Sequence, residues 1–333
     1  MAVLEKPGFA AELGKKGTSS DITFYNLKRG EDTVTFIEPT KYPERLSPLF
    51  YAVSMAKTAA VVAVEEQVGS TFGETALMLH SAGVEDGYLV VSEGNKEKVT
   101  RLVRGTVLEK YRIFGEEPAM LREELLKRAS LSDSRGVSSN VGCVAVDHAF
   151  NVRGTGTVAL GTVMSGVVKR HDVLRVLPEG KTAQVRSIQK HDDEYEYAVE
   201  GDRVGLALKG VEVEDLERGT LLTNDGSIKT ANTLVGMAEI HRYWQHPLKD
   251  STVVHLGHWV QFVQGRVETA AVVEEEGKGA VSGGQAGNGG AGWRRMKLSI
   301  SLGKPLSFLP GSSCVIMQLD GGKLRVVGRM VLS

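Results

Sequence analysis

The chain of 333 residues is long enough for about two or three domains, and its 41% hydrophobic content suffices for packed cores; a net charge of −1 excludes a global basic field for nucleic acid. Two cysteines, Cys143 and Cys314, lie far apart in glycine- and valine-rich surroundings and fit a reducing compartment better than a disulfide framework. No apolar run reaches the roughly 18 residues of a membrane helix and no basic-then-apolar signal opens the chain, so a soluble cytoplasmic protein is expected.

Residues 1–131 read as α/β. Residues 1–4 predict a very short strand and residues 8–16 one or two helical turns. Residues 32–37 alternate and predict a strand. Residues 59–64 and 88–91 are continuous apolar runs, as in strands buried on both faces, with helix-like 73–82 between them. Residues 117–129 predict the clearest helix. Acids open it, Pro118 stands near its start and Lys127-Arg128 in its last turn, the charge order that suits the helix dipole. Residues 131–140 (LSDSRGVSSN) read as a polar linker.

Short β-rich runs follow at 144–146, 156–163, 172–176, 183–188 and 203–208. Turn-type pairs separate them: Arg153-Gly154, Ser165-Gly166, Glu179-Gly180, Gly201-Asp202 and Lys209-Gly210. Close, even spacing predicts a small closed antiparallel barrel. Gly154 and Gly156 suit a bulge or a bend at a barrel corner. Further on, 253–256, 259–263, 268–273, 293–300, 304–309, 314–319 and 323–330 predict the strands of a second barrel. Residues 277–292 hold eight glycines in sixteen and predict a flexible loop between two of those strands. The expected domains are 1–131, 141–225 and 232–333.

The segments VDHAFNVRGTGTVALGTVMSG, VRSIQKHD, AVEGDRVGLALKGV and DLERGTLL occur in this order within 144–223. On them the stretch resembles the second domain of translational GTPases of the elongation factor Tu type, and most closely the selenocysteine-specific elongation factor in its archaeal-like form. LGKPLSFLPGSSCVIM and LRVVGRMVL resemble, less specifically, the third domain of the same factors. The resemblance implies a multidomain fold, an N-terminal α/β P-loop-GTPase-like domain followed by two small antiparallel β-barrels. It also implies GTP and Mg²⁺ as ligands of the family, and tRNA, the ribosome or other translation proteins as partners, with neither membrane nor DNA.

The front domain departs from that pattern. A phosphate-binding loop needs G-x-x-x-x-G-K-[ST], so that backbone N–H groups wrap the phosphates, the lysine reaches them and the hydroxyl holds Mg²⁺. Here the connection is Glu5-Lys6-Pro7-Gly8; Pro7 removes a donor, and Lys6 precedes the glycine. The DxxG position reads Ile37-Glu38-Pro39-Thr40-Lys41. The NKxD position reads Ser92-Glu93-Gly94-Asn95-Lys96 and reads best as a solvated loop. GKKGTSSDIT sits where the family has its first switch, with Thr18 and Thr23 as matches to the Mg²⁺-sensing threonine. Lys6, Gly8, Thr18, Thr23 and Asn95 thus make a degenerate nucleotide site, and no bound GTP, Mg²⁺ or other cofactor is expected.

The resemblance places a pocket for the aminoacyl end of tRNA on the middle barrel. Asp147 and His148 match two polar pocket residues, Phe150 an aromatic wall, and spacing adds His191 and Arg203. Elongation factor Tu has asparagine at the last position, the selenocysteine-specific factor arginine. One fixed cation and two imidazoles favour an anionic or strongly hydrogen-bonding cargo, and Asp147 would meet an α-amino group. Six cations of the C-terminal piece, Arg294, Arg295, Lys297, Lys304, Arg325 and Arg329, are expected on the tRNA backbone. His255 and His258 point to opposite faces of a strand and read as structural. No catalytic group and no metal site is expected, so the chain reads as a pseudo-GTPase. An active GTPase with an atypical loop and a protein-interaction scaffold are the alternatives.

Overall fold

The computed structural model describes residues 1–30, 32–64, 68–132, 140–272 and 293–333. The glycine-rich stretch 277–292 and the linker residues 133–139 lie outside them.

Three short apolar runs build the front sheet. β1 (Ala2–Leu4), β5 (Thr58–Ala63) and β6 (Asp86–Val91) are buried almost throughout and pair in parallel. Around them run α1 (Phe9–Leu13), β2 (Lys15–Ser19), β3 (Thr23–Arg29), β4 (Asp32–Glu38), α2 (Ser47–Ser54), α3 (Ser70–Ala82), α4 (Lys96–Leu102), β7 (Arg112–Phe114) and α5 (Pro118–Ser132). The sheet order is β2-β3-β4-β1-β5-β6-β7. Parallel strands need crossover helices on both faces, and α2, α3 and α5 supply the covers. Helical turns expected across 8–16 stop at Leu13, and Lys15–Ser19 is instead an exposed edge strand antiparallel to β3. Helix α5 runs on to Ser132, so Lys127-Arg128 are not its last turn. Arg128 leaves the dipole alone and pairs with Asp86 at 2.5 Å.

The middle unit comprises β8 (Gly142–Val152), β9 (Gly156–Lys169), β10 (Val173–Leu177), β11 (Lys181–Lys190), β12 (Asp193–Tyr195), β13 (Tyr197–Val199), β14 (Arg203–Lys209) and β15 (Leu221–Thr223). The order β10-β15-β8-β9-β14-β11 closes through β10–β11 pairing. Gly154 and Gly156 hold φ of +84° and +90° in the tight connection between β8 and β9, not at a corner. The register shifts lie elsewhere, at Cys143/Val144 and Val146/His148 on β8 and at Val185/Ser187 on β11.

The last unit is a closed barrel of β16 (Lys229–His241), β17 (Val253–His258), β18 (Gln261–Val272), β19 (Trp293–Phe308), β20 (Ser313–Met317) and β21 (Val326–Val331). The runs expected as separate strands at 259–263 and 268–273 are one strand, β18, and those at 293–300 and 304–309 are one strand, β19. Irregular pairing at Val267/Thr269 lets a long strand curve without ending.

The three units share a core. One buried cluster holds Phe50 of α2 together with Ala145 and Leu221 of the middle barrel and Val315 and Met317 of the last. Burial of such side chains contributes roughly 1.5–3 kcal/mol each. A Cβ at Gly257 would lie 2.4 Å from the Phe50 ring, so only glycine admits that ring against β17. Among the described residues no helix is long and apolar enough to cross a membrane.

Candidate functional site

The turn after β1 is built around carboxylates. Glu5, at φ +75°, accepts from the Thr71 and Thr75 hydroxyls of α3 at 2.8 and 2.5 Å, and burial pushes its carboxyl up. Gly8, at φ +85°, holds a left-handed conformation that a side chain would strain. Its N–H donates to both oxygens of Glu38 at 3.0 and 3.1 Å, and the Ala10 N–H donates at 3.3 Å. Glu38 is 8% exposed. It reaches the turn because β4 pairs in parallel with β1 and ends beside it.

Of the five residues read as a degenerate nucleotide site, Gly8 and Thr23 flank Glu38, Thr23 as its cross-strand partner. The Thr23 hydroxyl is committed to Thr40 at 2.6 Å and Ser19 at 3.0 Å. Thr18 sits half-buried on the edge strand. Lys6 turns to Glu116, 4.0 Å away, and lies over the Phe9 ring. Asn95 overturns the reading of a solvated loop. It is 5% exposed and its amide donates to the Ala63 carbonyl at the end of β5.

On the middle barrel the bulge between Val146 and His148 turns Asp147 inward until its side chain is fully buried. Arg203, first residue of β14, forks onto both Asp147 oxygens, with Nη2 to Oδ1 at 3.1 Å. His148 Nδ1 lies 2.5 Å from Asp147 Oδ1. The Arg203 guanidinium also covers the Phe24 ring of β3 at 3.5 Å. Phe150, two residues beyond His148 on β8, is exposed. His191 stands at the turn after β11, at φ +50°. Burial first and then the Lys28 ammonium hold its imidazole below the ordinary range. One expectation is corrected. Asp147 is fully buried and its oxygens meet Arg203 and His148, so it does not wait for an α-amino group. Arg203 carries its fixed charge as half of that ion pair.

A residue that motif reading passed over, Arg218 in DLERG, joins this site to the front domain. Its Nη1 donates to Asp21 at 2.8 Å, its Nε to the Asp147 carbonyl at 3.3 Å, and its guanidinium lies over the Tyr51 ring. Burial raises the Asp21 carboxyl, but Arg218 outweighs it and holds the group below the usual range.

The six C-terminal cations separate into two groups. Arg325 clamps Glu74 of α3, with Nη2 at 2.6 Å, Nε at 3.1 Å and its own N–H at 2.8 Å; it is an interdomain contact. Arg329 pairs with Glu239 at 2.7 Å and is half-buried, whereas Lys304 meets Glu217 at 3.0 Å in a pair whose two side chains both stay exposed. Arg294 donates to the Trp244 carbonyl and remains exposed, as do Arg295 and Lys297 on the neighbouring stretch of β19. His255 stacks on Phe262, while His258 is buried with Nδ1 on the Ser313 carbonyl. No group of three or more His, Cys, Asp or Glu among the described residues is arranged to hold a metal.

A family model of elongation factor Tu domain 2 matches residues 156–223. The chain is 36% identical over 323 residues to an uncharacterised protein of Methanocaldococcus jannaschii, covering 96% of this chain and 94% of the relative. It is 28% identical over 276 residues to the selenocysteine-specific elongation factor of the same organism, covering 77% of this chain and 58% of that longer protein. Among solved structures it is similar to translation elongation factor SelB of Methanococcus maripaludis in complex with the GTP analogue GppNHp. The TM-score is 0.79 at 22% identity, over 100% of this chain and 78% of that one, a likeness of fold. Three domains in the same order, a relative matched over nearly its whole length and the barrel model at its centre place the chain in the translational GTPase family of the elongation factor Tu and selenocysteine-specific elongation factor type.

Proposed function

We propose that the chain is a selenocysteine-factor-like translation protein that binds the acceptor end of an aminoacyl-tRNA, or the translation machinery, in the cytoplasm without binding or hydrolysing GTP. The observation that carries this reading is the Glu38 carboxylate on the amides of Gly8 and Ala10. A nucleotide's phosphates need those donors and would meet a negative charge already seated there. Pro7 offers no N–H, Lys6 leans to Glu116, and the Thr23 hydroxyl is committed to Thr40. These residues do not fit a Mg²⁺-nucleotide.

The cargo pocket is supported by what remains on the middle barrel. Arg203 has five N–H donors, of which Asp147 takes two. His148 turns Nδ1 to Asp147, which leaves Nε2 for a ligand, and Phe150, two residues on along β8, is exposed. Arg295 and Lys297 supply exposed charge for a phosphate backbone.

Calorimetric titration with GTP and Mg²⁺ tests the first half; no saturable heat is expected, and micromolar affinity overturns it. Recovery of bound RNA with sequencing tests the second half, with tRNA enrichment expected. A second reading, a protein-interaction scaffold, draws on Arg325 and Arg329 being engaged within the chain. Recovery of protein partners and no tRNA favours it.

A further inference from the structure

We infer that Arg218 is a positioning residue that ties the front domain to the cargo pocket, so that domain docking, not a nucleotide, assembles the pocket. The inference rests on the cargo-pocket reading above and concerns its regulation.

Asp147 stands at a β-bulge, where the ladder that would hold its main chain is interrupted. Its carboxylate nevertheless has to aim Arg203 and His148 at once. The main chain around it is held from one side by the segment that carries Arg218. Gly219 N–H donates to the Val146 carbonyl at 2.9 Å, and Val146 N–H to the Thr220 carbonyl at 2.9 Å. Arg218 Nε then donates to the Asp147 carbonyl itself.

The other end of Arg218 belongs to the front domain. Its Nη1 takes Asp21, its Nη2 lies 3.4 Å from the Ser20 hydroxyl, and its plane rests on Tyr51 of α2. Ser20 and Asp21 lie in the connection between β2 and β3, within the GKKGTSSDIT stretch. Along β3 two further contacts reach the same barrel: Phe24 lies under Arg203, and Lys28 pairs with Asp193 at 2.5 Å. One side of the front sheet therefore runs along the pocket, and Arg218 is the group that touches both that edge and the Asp147 main chain. An arginine fork spanning three acceptors and a ring fixes position in a way that a lysine point charge does not.

The test pairs a front-domain variant with a barrel variant in the full chain. Amide hydrogen exchange is followed in peptides covering 19–24 and 144–150 for wild type, Asp21→Asn, Arg218→Ala, Arg218→Lys and the Asp21→Asn/Arg218→Ala double variant. Loss of a charge-assisted hydrogen bond is expected to raise exchange in 144–150 roughly tenfold. Asp21→Asn produces this rise although Asp21 itself does not touch Asp147. The double variant adds little beyond Arg218→Ala, as coupled residues do, and Arg218→Lys recovers part of the protection. The ratio of affinities for charged over uncharged tRNA falls by a similar factor in Asp21→Asn. If Asp21→Asn leaves 144–150 at the wild-type rate while Arg218→Ala raises it, Arg218 acts only within its barrel and the inference is overturned. If wild type does not distinguish charged from uncharged tRNA, the cargo reading fails, and the exchange data still decide the coupling.

Discussion

Glu38 in the front domain and Asp147 in the middle barrel are both buried carboxylates, and they have opposite consequences. Glu38 accepts from two backbone amides at the turn after β1, which in the function proposed above takes the donors a phosphate would need. Asp147 accepts from an arginine and meets a histidine, which fixes both side chains and leaves each a further nitrogen. In that proposal a carboxylate that saturates backbone donors ends a site, whereas one that orients side chains builds one. The difference lies in donor capacity. An amide has one N–H to give, while a guanidinium keeps further N–H groups after the first bond and an imidazole keeps its second ring nitrogen.

The comparison is broken most forcefully at Arg203. Its removal leaves Asp147 fully buried and without a cation, which costs about 3–5 kcal/mol, whereas replacing both partners by apolar residues recovers most of that loss. Denaturant unfolding of Arg203→Ala and of Arg203→Met/Asp147→Leu measures both, and a single-variant loss under ~1 kcal/mol means that the pair behaves as an exposed one. In tRNA binding, Arg203→Ala is expected to weaken the charged form roughly tenfold to a hundredfold and the uncharged form hardly at all. Equal losses for both forms place Arg203 outside the pocket.

His258 shows what burial does without a carboxylate. Burial lowers its imidazole to about 4, so the native protein keeps it neutral. The folded value lies below the ordinary one, and below about pH 6.5 the unfolded chain takes up a proton that the native state refuses. Stability falls as pH drops from about 6.5, and the loss is complete below about 4. It reaches roughly 3 kcal/mol, at 1.36 kcal/mol per pH unit of difference. His258→Gln is expected to flatten stability between pH 7 and 4 relative to wild type. Parallel curves for the two proteins remove the prediction.

Glu38→Ala strips the acceptor from two amides and is expected to cost about 1–3 kcal/mol in thermal or denaturant unfolding. It does not restore GTP binding, because the glycine-rich loop and its lysine are still missing. Micromolar GTP affinity in that variant means that the carboxylate alone closed the seat. The smallest effect belongs to the open charges of β19. Arg295→Ala with Lys297→Ala lowers the salt slope of tRNA binding by about one unit per lost phosphate contact, without regard to aminoacylation. An unchanged slope moves the RNA surface away from β19.

What the chain order of residues determined by itself is the architecture and the absence of a G-x-x-x-x-G-K-[ST] motif after β1. Evenly spaced short runs closed into barrels, continuous apolar runs became the buried parallel strands, and Glu5-Lys6-Pro7-Gly8 has no loop to offer whatever surrounds it. Both are local properties, written in period and in residue type. Long strands with bulges were misread as pairs of short ones, because a register shift interrupts alternation without breaking the ladder. Only the tertiary structure decided where the charges go. Glu38 reaches Gly8 across thirty positions, Arg203 reaches Asp147 across 56, and Arg325 reaches Glu74 across 251. An ion pair of that kind depends on which strand ends meet. A lone Arg in GDRVG, DLERG or KLRVV reads the same whether it faces a ligand or a buried acid of its own chain.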